Sequence, residues 1–215
     1  MANQRPKREV HPALRKLLQL DEQLTEKFCL TVNRFLPLRA LKIHYKMLEV
    51  SCHGLLWLIG WLAFIWLLNS PRHYQMQTNF FVGLILDIVI VAVIKAFVRR
   101  RRPSGNVPDM FATYGPDLYG FPSGHASRSA FIVHFFTQLY PLPVFCYPPM
   151  LAWATSICIS RILLQRHHIL DVIAGVILGI LEGLFMGVIW FSQSTCDDLL
   201  SWLSDERVEG AEYHV

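Results

Sequence analysis

Three short clusters carry side chains suited to handling a phosphate group. The first is KAFVRRRRP (95–103), in which Lys95 and Arg102 stand seven residues apart. A helix continuing through them would put both cations on one side, and Pro103 would end it. Fixed cations at the mouth of a helical bundle are what a phosphate requires. The arginine run taken alone also reads as a topology signal. The second cluster is FPSGHAS (121–127). Ser123 is expected to cap the following helix, and Gly124 lets backbone approach a ligand closely. The amides of such a helix start attract an anion, with His125 beside them as a proton donor. The third cluster is Ser160-Arg161, five residues, His167, three residues, Asp171. His167 and Asp171 have the spacing of neighbours on a helix face. A carboxylate there is expected to hold one imidazole nitrogen and leave the other to attack, while Arg161 binds the phosphate. His168 has no carboxylate at that offset and is left out. Asp87 has no partner nearby in sequence. A cation in the bundle is the expected one.

The elements that position these clusters are membrane helices. The chain has 215 residues, of which 53% are hydrophobic and 17% charged, and its mean hydropathy is +0.34. Soluble proteins carry roughly 25% charged residues. This balance argues against disorder, against a fibrous protein and against a nucleic-acid binder that works by charge. Five runs approach the roughly 20 apolar residues of a span: 48–68, 80–98, 126–140, 144–164 and 169–191. Pro141 and Pro143 force a reversal between the third and fourth. Residues 12–46 look amphipathic and basic, and are expected to form an interfacial helix and linker. The expected fold class is an all-α polytopic bundle of about five transmembrane helices plus that amino-terminal amphipathic helix. It divides into a basic cytosolic segment (1–46), a membrane domain (47–191) and an acidic tail (192–215).

The net charge of +4 hides a layout. Ten Lys or Arg fall within residues 1–47, whereas residues 192–215 hold six acids and one Arg. The loop 69–79 carries only Arg72, the next loop carries Arg99 to Arg102, and the loop 141–147 carries none. By the positive-inside rule the amino terminus is cytosolic, and all three clusters with it. The tail's Leu199, Leu200, Trp202 and Leu203 form a short apolar patch expected to lie on the membrane. Cys29, Cys52, Cys146, Cys158 and Cys196 are scattered and lack metal-ligand spacing, so they read as free thiols. The first apolar run starts too late and is too long for a cleaved leader. Gly175, Gly179, Gly183 and Gly187 mark a face for close helix packing. That face serves either the bundle interior, the expected use, or a homodimer.

The three motifs together, spanning residues 95–171, resemble the type-2 phosphatidic acid phosphatase superfamily. Its helical bundle is shared with vanadium haloperoxidases. The pattern is Lys, six residues, Arg-Pro; then Pro-Ser-Gly-His; then Ser-Arg, five residues, His, three residues, Asp, and it is met here without substitution. The stretches LEVSCHG (48–54), VRRRRP (98–103), DMF (109–111) and FPSGHA (121–126) are similar to the branch acting on polyisoprenoid diphosphates. A sister branch lacking catalytic residues is a non-enzymatic nuclear-envelope protein; retention of all of them here favours an enzyme.

The resemblance implies a metal-independent lipid phosphatase of the endoplasmic reticulum and nuclear envelope, with no cofactor, no metal and no nucleic-acid partner. His167 is then the nucleophile, Asp171 its support and His125 the proton donor. Lys95, Arg102, Ser123, Gly124 and Arg161 hold the phosphate oxygens. Farnesyl, geranylgeranyl and presqualene diphosphates are the implied substrates. Phosphatidate, lysophosphatidate and sphingosine 1-phosphate are the alternatives of the same chemistry.

Overall fold

A computed structural model gives the structure of residues 11–35, 38–106 and 118–200. Arg5, Lys7 and Arg8, the stretch 109–111, and the tail beyond Leu200 with Trp202 and Leu203 lie outside the described residues. Among the described residues the architecture is all-α. In chain order the helices are α1 (Pro12–Phe35), α2 (Leu38–Ser51), α3 (Gly54–Leu67), α4 (Pro71–Val98), α5 (Gly124–His134), α6 (Tyr147–Leu163), α7 (Ile169–Val188) and α8 (Gln193–Leu200).

Helix α1 sits on the bundle as an amphipathic helix must. Asp21, Thr25 and Cys29, each four residues on, are buried against the protein. Leu14, Leu17, Leu24 and Phe28 form a separate exposed apolar stripe, which fits a helix lying at a lipid surface.

Among the described residues two helices have the length and apolar content of a membrane span, α4 and α7. The pair 43–51 and 54–67 makes a third if the two halves are one span, bent by 53°. The other two expected spans are shorter than expected. Helix α5 has 11 residues, extended by a five-residue π-helical stretch, Phe135–Leu139, and α6 has 17. Both fall below the roughly 20 residues that cross a bilayer at right angles. The chain between them turns through Pro141 and Pro143, neither of which can continue a helix.

The bend between α2 and α3 has a visible cause. Arg128 of α5 donates from Nη1 to the Cys52 carbonyl at 2.9 Å, which draws that carbonyl out of the helical ladder. Gly54 leaves room for the guanidinium, since a Cβ there would lie 2.8 Å from Arg128 Nη2. Arg128 also pairs with Asp87 of α4 at 2.8 Å, with both side chains buried. The cation expected for Asp87 is therefore on α5, the helix that opens with the second cluster.

Helix α4 begins nine residues before the apolar run does, with Pro71 in the first turn where its missing N–H costs nothing. Residues 71–79 read as loop because they are polar. Their polar groups are spent inside the fold instead. Asn79 accepts from the Phe191 backbone N–H at 2.9 Å and donates to the Phe191 carbonyl at 3.1 Å. Trp61 Nε1 donates to the Gln77 carbonyl at 2.9 Å.

The core is aromatic. Phe80 of α4 is fully buried and meets Trp61 at 4.2 Å and Phe135 edge-on at 4.9 Å between ring centroids. Met76, Leu84, Phe131, Ile132 and Met186 complete it. The glycine face of α7 packs against α5. A Cβ on Gly179 would stand 2.1 Å from the Ser127 carbonyl oxygen, and one on Gly183 would meet the His134 ring at 2.3 Å. These glycines therefore serve the bundle interior, and they bring the start of α7 against the start of α5. All five cysteines are free.

Candidate active site

The three sequence clusters converge where α4 ends, α5 begins, α6 ends and α7 begins. The route from Lys95 to Arg102 differs from the expected one. Helix α4 stops at Val98, where Arg99 takes a left-handed conformation (φ 54°) with its N–H on the Lys95 carbonyl. The two cations therefore do not share a helix face. Arg102 reaches the site through the turn that follows, and Lys95 is buried within the last turn of α4.

Helix α5 starts as the motif predicts. Ser123 is the N-cap, accepting from the Ala126 N–H at 3.5 Å. The Ser123 N–H in turn donates to the Asp171 backbone carbonyl at 2.9 Å, which ties the Ser123-Gly124-His125 turn to α7. The half-buried His125 donates from Nε2 to the Glu49 backbone carbonyl at 3.1 Å.

His167 does not lie on a helix face with Asp171. Helix α7 starts at Ile169, with His168 as N-cap and Asp171 two residues into the helix. His167 is buried in the preceding turn, and its Nδ1 donates to the Gly120 carbonyl at 2.6 Å. The Asp171 carboxylate is 4.0 Å from that nitrogen, beyond hydrogen-bond range. A carbonyl thus holds the ring where a carboxylate was expected. The outcome for the ring is the same: Nδ1 carries the proton and Nε2 keeps its lone pair.

Asp171 is fully buried and engaged elsewhere. Its Oδ2 accepts from the His168 N–H at 2.8 Å and lies 3.3 Å from His168 Nδ1. Its Oδ1 accepts from Arg100 Nη1 at 2.7 Å. Arg100 reaches onward from Nη2 to Asp21 of α1 at 2.6 Å. Sequence reasoning left out Arg100 as part of a topology signal and His168 for want of a carboxylate; both in fact hold Asp171.

Arg161 is the most buried cation of the site, 1% exposed. One nitrogen, Nη2, donates to Glu49 Oε1 at 3.1 Å. Among the described residues its Nε and Nη1 have no hydrogen-bond partner. Unspent donors on a buried guanidinium are costly unless a ligand completes them, and a phosphate oxygen is a fitting acceptor. Burial is the main force holding the His167 imidazole well below its usual pKa, and the positive charges of Arg161, Lys95 and Arg102 push it the same way. The three cations named from the motifs therefore act together on one imidazole.

Glu49 stands at the edge of the first apolar run, outside the three clusters. It is buried, and besides Arg161 it lies 3.7 Å from Arg166 Nη2. Its position inside an otherwise apolar run was the one signal available.

The PAP2 superfamily model matches residues 77–194, which contain all three clusters. The chain belongs to the PAP2 superfamily. It is 38% identical over 143 residues to the "Probable lipid phosphate phosphatase beta" of Arabidopsis thaliana, covering 55% of this chain and 67% of that protein. It is also 35% identical over 131 residues to the "Decaprenylphosphoryl-5-phosphoribose phosphatase" of Mycobacterium tuberculosis, covering 58% of this chain and 68% of that protein. No solved structure matches the chain significantly. Family membership and the apolar helices α4 and α7 make this PAP2 member a multi-pass membrane protein.

Proposed function

We propose that this protein is a membrane lipid phosphatase hydrolysing polyisoprenoid diphosphates and monophosphates through a phosphohistidine. The observation that carries the reading is a buried imidazole, His167, whose Nδ1 is spent on Gly120 and whose charge environment is set by Arg161, Lys95 and Arg102. In the first step His167 Nε2 forms a bond to phosphorus while the bond from phosphorus to the lipid or leaving phosphate oxygen breaks. His125 gives that oxygen a proton. Water then attacks the phosphohistidine, giving its proton to His125 and releasing inorganic phosphate. Lys95, Arg102 and Arg161, with Ser123 and the Gly124 amide, hold the equatorial oxygens where charge spreads in the transition state. Since side chains supply that positive charge, the reaction should need no added metal.

The polyisoprenoid tail is supported by the motif-flanking stretches 48–54 and 98–103, and by the prenyl carrier in the name of the mycobacterial relative. A hollow of about 510 Å³ between α5, α6 and α7 offers a tail a place in the bilayer. It starts at Ser129 and Cys158, about one turn from His125 and Arg161, and runs past Val133, Leu151 and Ile180. The test is phosphate release by purified protein in excess EDTA from farnesyl and presqualene diphosphates, phosphatidate and sphingosine 1-phosphate. The isoprenoid diphosphates are expected to give the highest kcat/KM. A clear preference for phosphatidate would replace the tail assignment, and silence on every lipid would favour a membrane scaffold.

The site faces the cytosol in this reading, in the endoplasmic reticulum and nuclear envelope, with α5 and α6 as short spans in a five-span topology. The support is the placement of Arg99 to Arg102 and Arg166 on one side of the bundle, against loops of low positive charge on the other. Ser104 is exposed in the turn after α4. A Ser104→Cys variant is expected to react with an impermeant maleimide once the plasma membrane alone is opened, above the level of wild type. Labelling that requires opening the internal membrane would reverse the orientation.

A further inference from the structure

Glu49 touches both sides of the reaction centre. Its carboxylate takes Arg161 Nη2 at 3.1 Å, and its backbone carbonyl takes His125 Nε2 at 3.1 Å. It is 5% exposed, and it sits in the last turn of α2, two residues ahead of the Ser51 at which the helix ends. That helix end is pinned by Arg128 through the Cys52 carbonyl, and Arg128 by Asp87. The frame is therefore continuous from α4 through α5 to α2, and Glu49 is its contact with the site. The sequence motifs do not include it, and it lies 112 residues from Arg161.

Its charge matters as well as its shape. Arg161 is left with Nε and Nη1 unspent, the donors an incoming phosphate would use. A carboxylate on the same guanidinium opposes the bound anion. In a buried site this opposition is weakly screened. A cluster of cations without it would hold the product phosphate as firmly as the transition state, and binding both equally does not speed turnover.

We propose that Glu49 is a positioning residue: it fixes the Arg161 guanidinium and the His125 ring in one frame, and its negative charge keeps product phosphate from being held. The inference rests on the phosphatase reading above.

The test is a Glu49→Gln variant, which keeps the backbone carbonyl and the side-chain shape but removes the charge. Inhibition by inorganic phosphate is expected to tighten by about tenfold, with kcat reduced and KM for the lipid unchanged or lower. A residue that served folding alone would lower the melting temperature and kcat without tightening phosphate inhibition. An unchanged or weaker phosphate inhibition constant in folded Glu49→Gln protein therefore overturns the proposal. Glu49→Asp keeps the charge but withdraws it by one methylene. It is expected to lower kcat with phosphate inhibition near that of wild type, and it decides the matter if the glutamine variant does not fold: tightened phosphate inhibition in Glu49→Asp overturns the proposal. Wild-type protein that releases no phosphate from any lipid phosphate overturns the reading beneath, which keeps the two failures distinct.

Discussion

Turnover of lipid phosphate is expected to fall by roughly 10⁴-fold or more in His167→Ala, since a nucleophile that forms the covalent intermediate has no substitute. The geometry makes the imidazole ready for attack at neutral pH. Its Nδ1 proton is committed to the Gly120 carbonyl at 2.6 Å. Burial, then Arg161, Lys95 and Arg102, hold its pKa well below the ordinary value. The ring is therefore neutral at pH 7. A depressed pKa also means that the neutral ring stabilises the fold above the unfolded histidine pKa of about 6.5, a contribution lost as pH falls through the lower folded value. The wild-type kcat/KM profile should accordingly stay level down through pH ~6.5, with its acid limb below that. Melting temperatures of both proteins separate lost chemistry from lost fold. More than a few per cent of wild-type turnover in a folded His167→Ala variant would remove His167 as nucleophile.

Asp171→Asn is expected to cost about 3 kcal/mol of stability as well as most activity, because the side chain is fully buried and both oxygens are used. Arg100 Nη1 lies 2.7 Å from Oδ1, and the His168 N–H donates to Oδ2 at 2.8 Å. An amide offers one oxygen where two are needed, and its NH2 must then face a donor. Activity falls by a connected route. The Asp171 backbone carbonyl holds Ser123, and the start of α7 holds the turn that carries His167. A carboxylate acting only to orient His167 would show the reverse pattern, with a shifted acid limb and an unchanged melting temperature. Thermal unfolding measured beside a pH profile distinguishes the two, and an asparagine variant with wild-type melting would sink the structural account.

The motif residues were legible because their types and short spacings suit a phosphate site: Lys95, Arg102, the Ser123-Gly124-His125 turn, Arg161, His167 and Asp171 all lie at one end of the bundle. Their mutual roles were less so. Four-residue spacing suggested a His167–Asp171 pair on a helix, but the helix begins two residues after His167, and the pairing partner became the Gly120 carbonyl. A backbone acceptor leaves no trace in side-chain spacing. Glu49, Arg100 and Asp21 were missed for a related reason. Their partners lie 112, 71 and 79 residues away, so no local periodicity links them. Hydropathy found α7 within three residues of its end but began α4 nine residues late. The buried polar groups of Gln77 and Asn79 look in sequence like those of a surface loop.

The docking of α1 has a consequence for where an anion can settle. Thr25 Oγ1 accepts from the Ile169 N–H at 3.1 Å, and Asp21 Oδ1 from the Leu170 N–H at 3.0 Å. The first amides of α7 are the kind of donor that draws phosphate to a helix start, and the amino-terminal helix has already claimed two of them. The amphipathic helix α1 is thus a stopper for a competing berth. A protein shortened from its amino terminus past Asp21 would keep every motif residue yet offer a headgroup a second, unproductive place to land.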